Sequence, residues 1–244
     1  MAKRRGMADA GGLFAPAPEQ EPPPGHIGHR ERLRARFLAG GAEAVADYEL
    51  LELLLFAIPR LDTKPLAKAL IARFGSFAGV LAAAKEELAK VPGMGEAAIA
   101  TLKVAHAAAL KLAASEVADR PLLNAWDKLM AYLHAALARE KVEHFRVLYL
   151  DHKNRLKADE TLARGTVNHA PVYPREVVRR ALELQASALI LVHNHPSGDP
   201  SPSRADIDMT REVQTAAAAL GIALHDHVIV GNGRWLSFRQ TGLL

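Results

Sequence analysis

Apolar residues recur at helical spacing through the first half of the chain and give way to strand-like runs near residue 142. Leu33 and Phe37 stand at i, i+4 among Arg30, Arg32, Arg34 and Arg36, which predicts a short basic helix over 28–37 with a solvated charged face. Gly40 and Gly41 end it, and Asp47 is placed to cap a strongly apolar helix over 48–57, followed by Pro59. Further helices are predicted over 63–74, stopped by Gly75, and over 77–84, capped by Ser76. The short segment 85–90 then leads through Val91-Pro92-Gly93-Met94-Gly95 into a long Ala-rich helix over 96–116.

Residues 115–121 read as a linker, because Pro121 cannot continue the preceding helix. Beyond it, Asn124 can cap a helix over 124–139 whose apolar side carries Trp126, Leu129, Leu133 and Leu137. The period then changes. Residues 142–150 are rich in β-formers, and the polar turn 151–155 returns the chain as a partner strand over 156–163. A helix over 174–186, opened by Pro174 and Glu176, leads to the apolar strand 188–192. A helix over 204–220 ends at Gly221, and strands over 223–230 and 235–238 are divided by Gly231-Asn232-Gly233. The predicted organisation is a Pro-rich tail at 1–25, an all-α domain at 26–116, a linker at 117–121 and an α/β domain at 122–244.

Composition narrows the chemistry. The chain of 244 residues has 31 Lys and Arg against 27 Asp and Glu, a formal charge of +4 that permits contact with nucleic acid without requiring it. Lys3-Arg4-Arg5 in the tail reads either as a contact for an anionic partner or as a solvated terminus. The absence of cysteine excludes disulfides, thiolate metal sites and thiol catalysis, so any metal ligands must be His, Asp or Glu. No apolar stretch is expected to reach the ~20 residues that span a membrane, and the N-terminus lacks the apolar core of a signal peptide. The expectation is a soluble, cytoplasmic protein.

Two stretches carry candidate chemistry. Gly93, Met94 and Gly95 form the turn of a helix-hairpin-helix element whose backbone N–H groups could meet a DNA phosphate. Glu96 places a carboxylate where that anion would lie, so a purely packing hairpin is the competing reading. The second stretch is His193-Asn194-His195-Pro196, running on to Ser203 and Asp206. Side chains alternate along a strand, so His193 and His195 would project from one face. With Asp206 they could fill three corners of a tetrahedron and leave the fourth for water. The alternative is an ordinary pair of strand-end histidines, with Ser203 capping a helix and Asp206 in its first turn. His225-Asp226-His227 is a second such pair, read as a partner of the first site or as hydrogen-bonded strand residues. His152 and His169 read as surface residues.

The pattern His-x-His-Pro, six residues, Ser-x-x-Asp resembles the JAMM motif of JAB1/MPN metalloproteases. The longer run 192–203 resembles the RadC subfamily in particular, as does the helical first half. The resemblance implies a central mixed sheet flanked by helices, as in cytidine-deaminase-like domains, and zinc held by His193, His195 and Asp206. It implies an upstream catalytic glutamate before an apolar strand: Glu143 fits best, with Glu160 and Glu176 as alternatives. Bound Zn²⁺ lowers the pKa of water from ~15.7 to about 7, Glu143 would move its proton, and Ser203 could donate to the tetrahedral oxyanion. The implied reaction is amide or isopeptide hydrolysis of a protein or peptide substrate, without a membrane partner. The alternative is a DNA-binding repair or recombination factor that uses its helical domain, with the metal domain as a scaffold.

Overall fold

The computed structural model describes residues 28–58, 62–118, 121–122, 125–165 and 172–244. The expectations for the tail 1–25, Pro59, Asn124 and His169 lie outside these residues. The chain divides into two compact units between Val45 and Ala46. In the first, helix α1 (His29–Gly40) carries exposed Arg32, Arg34 and Arg36 and ends at Gly41, whose N–H returns to Phe37 O.

In the second unit, α2 (Asp47–Leu55) starts one residue earlier than expected. Ala46 takes the cap position and Asp47 joins the first turn, where the Glu49 carboxylate accepts the Ala46 N–H at 3.0 Å. Helices α3 (Thr63–Phe74), α4 (Phe77–Ala82) and α5 (Lys85–Ala89) follow, with Ser76 accepting the Gly79 N–H as α4's cap. They bury Leu51, Leu55, Leu66, Leu70, Val80 and Leu88 around the start of α6 (Glu96–Ala118), which contributes Ala98, Ile99 and Leu102.

Helix α6 corrects two expectations. It runs through Ala118, past the predicted start of the linker, because Val117 packs into a second core beneath the sheet. Its segment Glu96–Val117 is also long and apolar enough, by length and composition, to cross a membrane. Alanine is its commonest residue, and Lys103, His106 and Lys111 interrupt the apolar run.

The remainder is a five-stranded mixed sheet in the order β2-β1-β3-β4-β5, flanked by helices as the α/β expectation requires. Strand β1 (His144–Leu150) pairs antiparallel with both β2 (Leu156–Arg164) and β3 (Ala188–Asn194). β3 runs parallel to β4 (Ala223–Val230), and β5 (Trp235–Ser237) closes the edge before the single turn α10 (Phe238–Thr241). One face packs Leu148, Leu150, Ile190, Val192, Val228 and Val230 on α7 (Trp126–Leu137), using the predicted Leu129, Leu133 and Leu137. The other packs Phe145, Val147, Tyr149, Leu189 and Leu191 on α8 (Pro174–Glu183) and α9 (Arg204–Ala218).

A polar clamp crosses the α7 face. Arg146 on β1 meets Asp159 on β2 at 2.7 Å, and Tyr132 on α7 donates to the same carboxylate at 2.7 Å. Both charged side chains are largely removed from water, so neither is easily left alone. Arg146→Ala is expected to destabilise the fold by about 3–5 kcal/mol, as measured by the urea unfolding midpoint, because it strands the Asp159 charge.

Candidate metal centre

The centre is built where β3 ends. Period-two alternation turns His193 toward the α8 and α9 side, where it is fully buried with Phe145 stacked beside it at 6.1 Å. His195 lies just past the strand and is tied to β4 through its N–H, which donates to Val230 O at 3.0 Å. Asp206 comes from the first turn of α9. Ser203 caps that helix by accepting the Asp206 N–H at 3.1 Å, while its own hydroxyl and N–H donate to Asp206 Oδ2 at 2.6 and 2.7 Å. Capping and site-building are one arrangement: Oδ2 is held by Ser203, and Oδ1 comes within 3.4 Å of His193 Nε2.

The two imidazoles converge with their Nε2 atoms 2.9 Å apart, and His195 Nε2 is 3.7 Å from the Asp206 carboxylate. His195 Nδ1 lies 2.7 Å from Asp199 O, which can only accept, so Nδ1 carries a proton and Nε2 is the nitrogen left bare whenever the ring is neutral. His193 Nδ1 is occupied by His227 Nε2 at 2.8 Å. Burial pushes His193 down to about 4, against the Asp206 charge, so it is neutral near pH 7. His195 is raised chiefly by its contact with Asp206, with Glu143 contributing charge. Burial alone would raise Asp206, but His195, His193 and Ser203 together hold it well below the usual carboxylate range. Two imidazole nitrogens and an ionised carboxylate, with their ligand atoms within 4.8 Å of one another, make a donor set able to hold a divalent metal ion.

Glu143 precedes β1. Phe145 stands opposite His193, so continuing the antiparallel register two residues places Glu143 opposite His195 on the same face. Its C=O accepts the Gly165 N–H at 2.8 Å, which extends the β1–β2 ladder to this point. Asn194, absent from the sequence-derived candidates, holds both flanks of Glu143 from the opposite face of β3. It accepts the His144 N–H at 2.8 Å and donates to Val142 O at 3.1 Å. The only prior signal for Asn194 was its position between two candidate ligands. β1 begins at His144 and not at 142 as expected.

The β4–β5 turn supports the loop 195–200. Asn232 N–H donates to Gly198 O at 3.1 Å, and a Cβ on Gly231 would lie 2.3 Å from that same oxygen. Only glycine allows this approach.

The other candidates lie elsewhere in the chemistry. Glu160 is held by Arg180 at 2.6 Å, and Glu176 by Arg179 at 3.1 Å. In the 91–95 turn Met94 is buried in the helical core, its N–H donates to Val91 O, and the Gly95 N–H donates to Gly93 O. Gly93 takes a left-handed φ of 90° and Glu96 is exposed at the start of α6. The second histidine pair is split. A bulge at His225, opposite the Leu189–Ile190 step of β3, breaks the alternation of β4, so His227 reaches His193 while His225 binds Asn154 Oδ1 at 2.7 Å. His152 is exposed, as expected.

Asn194→Ala is expected to lower stability in urea by about 1–3 kcal/mol for each backbone group it leaves buried and unpaired. An unchanged unfolding midpoint would contradict the role assigned to its side chain.

Comparison with known proteins agrees with this arrangement. Residues 123–243 match the family model described as a RadC-like JAB domain. A UPF0758 protein of Rhodobacter capsulatus is 62% identical over 213 residues, covering 87% of this chain and 100% of the relative. A UPF0758 protein of Ruegeria pomeroyi is 58% identical over 217 residues, covering 88% of this chain and 97% of the relative. With its helical N-terminal region, its mixed five-stranded sheet and its His-His-Asp group inside the matched segment, the chain belongs to the RadC family.

Proposed function

We propose that the protein is a zinc-dependent hydrolase of the JAMM metallopeptidase type, acting on an amide or isopeptide bond. The observation that supports this most is the convergence of His193 Nε2, His195 Nε2 and Asp206 on one point, each oriented by a hydrogen bond at its other polar atom. Three protein ligands of nitrogen and oxygen type suit zinc and leave a fourth position open. Zinc, when bound, supplies Lewis acidity and a water that ionises near neutral pH.

The protein's own groups do the rest. Glu143, on the same face as the ligands, takes a proton from the attacking water at its carboxylate and delivers it to the departing amine. Asn194 fixes the backbone on both sides of Glu143, and so the point from which that carboxylate projects. Ser203 orients Asp206 before reaction. Rotation of its hydroxyl away from Asp206 Oδ2 would then offer a donor to the tetrahedral oxyanion.

Metal analysis is expected to find zinc bound to the wild type and lost in His193→Ala and Asp206→Ala. Glu143→Gln should keep the metal while lowering cleavage in a proteome-derived peptide screen by at least about 10²-fold. A zinc-loaded wild type that retains no metal contradicts the proposal, as does a Glu143→Gln variant with full cleavage.

A further inference from the structure

A chain of three hydrogen bonds joins two of the candidate ligands through residues that lie outside the ligand set. His193 Nδ1 is 2.8 Å from His227 Nε2, His227 Nδ1 is 2.6 Å from Thr210 Oγ1, and Thr210 Oγ1 is 2.5 Å from Asp206 O. His193 and His227 are completely buried, and Thr210 nearly so.

The direction of each bond follows from its far end. A carbonyl oxygen only accepts and a threonine hydroxyl has one proton, so Thr210 donates to Asp206 O. Thr210 Oγ1 must then accept from His227 Nδ1–H. His227 is fully buried between Phe145 and Phe238, with ring centroids 5.9 and 4.5 Å away, and as a neutral imidazole it has a single N–H, already given to Thr210. His227 Nε2 is therefore bare and accepts from His193 Nδ1–H. His193 Nε2 is left with its lone pair directed at His195 and Asp206. The opposite arrangement would put an N–H of His193 in the middle of the site and block it as a ligand.

We infer that His227 and Thr210 are positioning residues that lock His193 in the one tautomer able to bind a metal, through a relay anchored on the backbone of another ligand, Asp206. Metal-binding histidines usually donate their second N–H to a carboxylate, a carbonyl or water. Here a neutral imidazole takes that place and passes the constraint to α9. The inference rests on the metal reading above. It adds that donor orientation is fixed before any metal arrives.

Two measurements on the full chain test it. In ¹⁵N-labelled, zinc-free protein, two-bond ¹H–¹⁵N correlation of the imidazoles should show His193 protonated on Nδ1 and bare on Nε2. A His193 Nε2–H tautomer overturns the inference whatever the variants do. Zinc affinity, measured by competition with a chromophoric chelator, should fall about 10- to 100-fold in His227→Leu and in Thr210→Val. His227→Gln and Thr210→Ser keep a donor and an acceptor and should recover most of the loss, which a packing role alone would not produce. Wild-type affinity in His227→Leu overturns the inference, and so does a Gln variant no better than Leu. A wild type that takes up no zinc overturns the metal reading beneath it. That outcome differs from a failed relay, which the tautomer in the zinc-free protein reports.

Discussion

The register of β3 between β1 and β4 is the constraint on which the site depends. A slip of one residue would turn His193 into the α7 core and bring Asn194 among the ligands. The register is held by burial on both faces. Leu189 and Leu191 pack toward α8 and α9, while Ile190 and Val192 pack toward α7, so any slip exchanges two complete sets of core side chains. The same register sets Phe145 against His193 and brings Glu143 level with His195.

Polar side chains on both faces of β3 convert that register into a fixed constellation. On the ligand face, His227 and Thr210 bind His193 to the helix that carries Asp206. On the other, Asn194 grips the approach to β1 around Glu143. Beyond the strand, the loop to Pro200 is fastened by the Gly198–Asn232 contact and by His195 to Asp199. Buried polar groups without partners are costly, so each of these bonds resists a rearrangement that would break it. The candidate ligand atoms are positioned largely by backbone groups and by side chains outside the ligand set.

Much of this was legible in the chain because local chemistry and tertiary placement agree. Gly75, Ser76, Ser203 and Gly41 stop or cap helices by mechanisms written in their own side chains or lack of one. The strand-end histidines and the capped aspartate were visible from alternation and spacing. What stayed hidden depends on partners remote in sequence. Asn194 gains its role from a segment fifty residues away, and α6 continues past Ser115 because Val117 finds a core that no local signal announces. The bulge that separates His225 from His227 likewise arises from pairing with β3, so strict alternation placed the two histidines together when the sheet does not.

The proposed function stands or falls with His193, His195 and Asp206 forming one metal-binding centre. X-ray absorption at the zinc edge, on wild-type protein loaded with one equivalent of metal, tests it most directly. Two imidazole nitrogens and a carboxylate oxygen are expected at about 2.0–2.2 Å, with the imidazole signal reduced when His193 is replaced. Zinc that shows no imidazole ligation, or a spectrum unchanged by loss of His193, would contradict it.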